Sequence, residues 1–245
     1  MKRCVLLLTI AGLAGCYNYG HNKQGRLFWH GPDPQADLAE AREDRDARDR
    51  REAIVRLVRC QVAGPEANRH RSACRRVLRE AASLRHEQNA VIRSIAAASL
   101  RQLGAPEDVP LLVRCLKGDP GQNLDPEASP DVRRELVNTL GLLGSPNEVP
   151  VLADVLRKDP DVETRVEAAR ALARLGSQTA VEGLLQGLAD PDESVAFACH
   201  QGLVRTTGQN LPPSAVEWQQ WWQGRKEPPL SQPGQPGTRA PSRGP

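Results

Sequence analysis

Between residues 88 and 208 the apolar positions fall at intervals of three and four, interrupted at regular distances by glycine. Val109, Leu112 and Leu116 set the pattern; Val149, Leu152 and Leu156 repeat it, and Val181, Leu184 and Leu188 repeat it again. Such spacing puts each trio on one face of an α-helix. Gly104, Gly144, Gly176 and Gly208 each close one helical run and open another, 40, 32 and 32 residues apart, and the first spacing falls to 32 when the insert from Gly121 to Ala128 is set aside. Aligned on these glycines, Arg93, Arg133 and Arg165 share a column, as do Leu100, Leu140 and Leu172, and Leu103, Leu143 and Leu175. The segment is an internal repeat, and each unit is a pair of helices.

The punctuation fits this reading. A glycine after the last turn can take the left-handed conformation that other residues resist. Asp119-Pro120, Asp159-Pro160 and Asp190-Pro191 are expected to place a capping carboxylate and a first-turn proline at the start of the next unit. Pro110 and Pro150 predict that the second helix of their units starts late, near residue 108 or 148.

A helical pair of this size cannot bury its apolar faces alone, so the units must stack and share a core. The expected fold class is all-α, an α-solenoid of stacked helical hairpins forming a superhelix. In Val132-Arg133 with Leu140 to Gly144, and in Arg165 with Ala168 to Gly176, the chain resembles the HEAT-repeat class. The nearer likeness is to its short bacterial variety, the phycobilisome-lyase-type HEAT-like repeats. The resemblance covers about half of the chain and implies an armadillo-like superhelix. The Trp/Tyr positions of a tetratricopeptide repeat and the Thr-Pro-Leu-His of ankyrin are missing.

Upstream, residues 36–87 read as a charged helix and a degenerate first repeat. Arg, Asp, Glu and Ala alternate from Ala36 to Glu52, a run rich in i,i+4 pairs; the helix is expected to continue through Ile54 and Val58 to Gly64, with a second helix from about Pro65 to Leu84. The repeats proper occupy 88–208. Residues 209–225 form a Trp-rich capping helix: Trp218, Trp221 and Trp222 share one face, Ser214 is its N-cap, and the helix is expected to cover the apolar surface of the last repeat. Residues 226–245 alternate Pro, Gly, Ser, Gln and Arg, a composition expected to be disordered.

The front of the chain changes the picture. Met1-Lys2-Arg3 is basic, and Val5 to Ala14 is apolar apart from Thr9, the pattern of a secretory signal peptide over residues 1–15 and too short to cross a bilayer. Leu13-Ala14-Gly15-Cys16 resembles a bacterial lipobox, which implies cleavage before an acylated Cys16 and a stable lipid anchor. Residues 16–35 carry Tyr17, Tyr19, Phe28 and Trp29 among Gly, Asn and Pro with no helical or strand period, and read as a tether. In the lipoproteins that this start resembles, a residue other than Asp behind the Cys, here Tyr17, implies the periplasmic side of an outer membrane over the inner one where the organism has an outer membrane.

Composition narrows the function. Aromatics make up 3% of residues, which suits thin helical layers, and the net charge of +3 gives no field for a nucleic-acid backbone. His70 and Cys74 stand at i,i+4, a metal-ligand spacing, but no second pair completes a site and Arg69, Arg71, Arg75 and Arg76 surround them. No nucleophile elbow, phosphate loop or paired carboxylate appears. Neither an enzyme, a metal, a cofactor nor a small-molecule substrate is expected. Cys60 and Cys74 could form a disulfide across the first hairpin in an oxidising envelope; Cys115, Cys199 and His200 read as structural residues. The resulting expectation is a membrane-anchored, protein-binding scaffold or assembly factor in the bacterial envelope. Its second helices would line the inner curve and offer Arg114, Lys117, Asp154, Arg157, Lys158, Glu182 and Gln186 to a protein partner. The alternative is a bilin-lyase-like enzyme or a chaperone for a prosthetic group.

Overall fold

The computed structural model describes residues 18–21, 27–30, 39, 41, 46–59, 67–83, 87–122 and 124–226. The expected signal segment 1–15, the expected acylation site Cys16, Cys60 of the expected Cys60–Cys74 disulfide and the tail beyond 226 lie outside them.

Ten α-helices among the described residues form five successive pairs. These are α1 (Ala47–Arg59) with α2 (Ala67–Ala82), α3 (Ala90–Leu103) with α4 (Val109–Lys117), α5 (Pro130–Leu143) with α6 (Val149–Lys158), α7 (Val162–Leu175) with α8 (Gln178–Gly187), and α9 (Glu193–Thr207) with α10 (Ala215–Lys226). The first helices α1, α3, α5, α7 and α9 pack side by side, each on the next; in the second row α2 meets α4, α6 meets α8, and α8 meets α10. Leu100, Leu140, Leu172 and Leu203 from the first helices and Leu112, Leu152 and Leu184 from the second are fully buried between the rows. The fold is an all-α stack of helical hairpins.

Close approach within the first row depends on small residues. A Cβ on Gly141 of α5 would sit 2.6 Å from the Cβ of Ala171 on α7, and one on Gly202 of α9 would sit 3.2 Å from the Cβ of Ala173. The second row has its own link: Asp108, wholly buried before α4, accepts from Arg75 Nε of α2 at 3.0 Å and pairs with Arg79 of the same helix.

Several local expectations are corrected. The late starts hold, since α4 and α6 begin at Val109 and Val149 after short 3₁₀ turns at Pro106–Asp108 and Pro146–Glu148, but other details differ. Gly176 and Gly208 are left-handed, with φ of 63° and 71°, but Gly104 and Gly144 are extended. There the glycine serves closeness instead, because a Cβ on Gly104 would lie 2.2 Å from Leu100 O. The helix N-caps are Asn89, Ser129, Asp161 and Asp192. Asp159 and Asp190 therefore stand two residues before the caps, and Asp119 closes the insert instead: its N–H donates to Leu124 O at 2.7 Å and Leu124 N–H donates back at 3.0 Å. Residues 17–35, expected to lack strand structure, contain the antiparallel pair β1 (Asn18–His21) and β2 (Leu27–His30), with Tyr19 opposite Trp29. Tyr, Phe and Trp favour extended backbone, and a four-residue strand is too short to show its period against neighbouring Gly and Asn.

Candidate functional site: the first-helix face

Counting from the N-caps exposes a ladder that runs through the first row. The residue two before each cap is acidic: Glu87, Glu127, Asp159 and Asp190. Each accepts the N–H of its own cap residue, at 2.8, 2.8, 3.0 and 2.9 Å. The residue four after the cap is arginine in α3, α5 and α7, and Arg50 of α1 stands four after Asp46, which accepts from the helix's first N–H groups; each arginine reaches the acid of the following unit. Arg50 Nε meets Glu87 at 2.9 Å, Arg93 meets Glu127 at 2.8 Å, Arg133 meets Asp159 at 2.8 Å and Arg165 meets Asp190 at 3.0 Å. All four pairs are two-pronged, which suits the planar guanidinium fork. Arg93 and Arg165 also donate back to the carbonyls of Glu87 and Asp159, and Arg133 to that of Ala128. The carboxylate bonds hold the guanidiniums of Arg133 and Arg165 above their ordinary range.

The ladder stops at α9, where Ala196 stands four after the cap. That end is closed differently. Trp218 of α10 is wholly buried, and its ring meets Trp221 edge-on at 5.6 Å and His200 of α9 at 6.0 Å. His200 Nε2 lies 2.8 Å from Leu211 O, and because a carbonyl only accepts, that nitrogen carries the proton. His200 has a structural position. Burial pushes the thiols of Cys115 and Cys199 up to about 11 and about 12, so both are protonated and unreactive at neutral pH. Cys74 is buried too.

The outer side of the first row is the surface with features for recognition. Between α7 and α9 runs an open groove of ≈ 910 Å³. Its floor is small and apolar, with Val166, Ala173, Ala198 and Gly202; Phe197 stands on its wall, 62% exposed. Glu163 and Glu193 line the end nearest the helix N-termini, and Arg170, Arg174 and Arg205 the other. Four large apolar side chains are more than half exposed among the described residues: Val91, Leu142, Phe197 and Val216. Counted from their caps, Val91, Leu142 and Phe197 occupy positions that line the groove in α7 or α9, so three of the four share the first-helix face.

The seven residues expected to bind a partner sit on α4, α6 and α8, in the second row. Asp154 is joined to Arg157 and Lys158 at 2.8 Å each, pairs within one helix, and these bonds hold its carboxyl below the usual range. Lys117, Arg157, Lys158 and Gln186 are exposed, whereas Arg114 and Glu182 are half-buried. The groove takes none of its lining from them. Position along the chain does not reveal where a cleft opens, so the groove on the first row was not foreseen; the signal available was Phe197, an aromatic at a position where α7 carries Val166. Among the described residues no three His, Cys, Asp or Glu side chains gather as a metal site, and no helix is long and apolar enough to cross a membrane.

No curated protein matches the chain. The crystal structure of an engineered protein is similar at 21% identity with a TM-score of 0.51, covering 79% of this chain and 86% of that one, a likeness of fold. The family profile for HEAT repeats matches residues 120–203, from the insert to the middle of α9. With the stacked hairpins described above, these likenesses identify an all-α repeat protein whose residues 120–203 match HEAT repeats.

Proposed function

We propose that the chain is a non-enzymatic, protein-binding scaffold or assembly factor, lipid-anchored through Cys16 in the bacterial envelope, and that it docks its partner on the first-helix face. The observation that carries the docking face is that Val91, Leu142 and Phe197, large and exposed on α3, α5 and α9, all lie on one side of the stack. Aromatic side chains such as Phe197 are enriched at protein interfaces. HEAT repeats commonly serve protein–protein interaction, which supports the scaffold reading. The anchor rests on Leu13-Ala14-Gly15-Cys16 and the apolar stretch before it.

Two measurements test this. Labelled palmitate should enter the chain at Cys16, and Cys16→Ala should move the protein from the membrane fraction to the soluble one; an unlabelled wild type removes the anchor. After crosslinking in membranes, Phe197→Asp should lose at least tenfold of the partner recovered with the wild type. Unchanged recovery removes the docking face.

A further inference from the structure

The groove between α7 and α9 is polarised along its length. The two helices run in the same direction, so their acidic N-terminal residues and basic C-terminal residues fall at the same ends of the cleft. At one end Glu163 and Glu193 are exposed and have no ion-pair partner among the described residues. At the other, Arg205 is likewise exposed and unpaired among the described residues. Arg174 gives Nη2 to Glu167 at 2.6 Å and to Asn138 at 3.2 Å, while its buried Nε has no partner. Arg170 reaches Glu167 only at 3.5 Å and is 59% exposed. Two guanidiniums thus share one buried carboxylate and the third has none, which leaves positive charge at that end. Between the ends lie Phe197 and the small apolar floor.

We infer that this groove takes an amphipathic helix of a protein partner, laid antiparallel to α7 and α9. The inference deepens the docking reading above and rests on it. Most helices carry acidic residues in the first turn and basic ones in the last, opposing their own dipole. Laid antiparallel, such a helix sets its acidic first turn over Arg170, Arg174 and Arg205 and its basic last turn over Glu163 and Glu193. Laid parallel, it would oppose like charges at both ends, and like-charge contact is what excludes wrong arrangements at interfaces. From Glu163 to Arg174 the cleft spans about 17 Å at 1.5 Å per residue, the length of about three turns. The occupant therefore presents aliphatic or aromatic residues at i, i+3 or i+4 to Phe197 and the floor, with no requirement on its outer face.

Two fourteen-residue peptides, stapled to equal helicity and identical in composition, provide the test. One has Glu in the first turn, Leu at the inward positions and Lys in the last turn; the other exchanges the Glu and Lys positions. Binding to the full chain is read by fluorescence anisotropy at low salt. The first should bind at least fivefold more tightly, Phe197→Asp should weaken it at least fivefold, and the exposed-site variant Glu163→Lys/Glu193→Lys/Arg170→Glu/Arg205→Glu should reverse the order. Circular dichroism of the variants shows that they keep their helices. Equal binding of the two peptides, or binding by neither, overturns the inference. If Phe197→Asp nonetheless abolishes partner recovery from membranes, the docking face stands without the directed helix; if recovery is also unchanged, both fall.

Discussion

The first row of helices is joined in two different ways, and the contrast lies between its interior and its C-terminal end. Inside the array each arginine reaches forward to a carboxylate that stands two residues before the next cap, so one unit's seam is completed by the following unit. Among the described residues the last unit has no successor. Ala196 replaces the arginine there, and Trp218 fills the end with a buried ring. A buried charge needs its partner in place, whereas an aromatic plug needs only volume and shape.

Removing either kind of join should give the largest losses. Glu127→Ala leaves Arg93, whose side chain is 4% exposed, without its partner and should cost about 3–5 kcal/mol in urea unfolding. The double change Arg93→Met/Glu127→Leu should recover most of that loss, because no charge is stranded. If the double variant is as unstable as the single, the seam is not held as described. Trp218→Ala should cost about 3–5 kcal/mol as a cavity. Its signature is local: amide exchange should quicken first in α8 to α10, but for Glu127→Ala first around α3 and α5. Identical exchange maps would erase the contrast.

Next in size is Gly141→Val, whose side chain meets Ala171 across the row and should cost about 1–3 kcal/mol by overpacking. Asp161→Ala removes the cap that accepts from Thr164 N–H and should cost about 1 kcal/mol. The Thr164 hydroxyl holds the Asp161 carboxyl below its ordinary value of 3.8. Its contribution is complete above that value and is lost as pH falls through the lower folded value. An Asp161→Asn variant should therefore lose less stability than the wild type on acidification below about 4, as thermal melting across pH would reveal. The smallest effect belongs to Lys158→Ala, an exposed pair within one helix, at under about 0.5 kcal/mol.

The hairpins, their aliphatic columns and the arginine column were legible in the chain because they obey local period. The ladder's acidic side was not. Its members mix Glu with Asp, and Glu127 falls inside the stretch set aside as an insert, so Asp119 seemed its counterpart. Gly208 also comes one residue later after its cap than Gly176 does, so counting back from the glycines sets His200 beside Ala96, Leu136 and Ala168, where counting from the caps sets Cys199. Cys199, like Ala96, Leu136 and Ala168, is fully buried. Which row carries the cleft was illegible for a different reason: both rows alternate apolar and charged residues, and only packing decides that a groove opens over the seam of α7 and α9.

The central claim is that the first-helix face meets the partner. A photoreactive residue placed in turn at Val91, Leu142 and Phe197, and at Lys117, Lys158 and Gln186 of the second row, tests it in one gel of membrane-bound protein. The account predicts a shared partner adduct from the first three and none from the second three; adducts confined to the second row would contradict it.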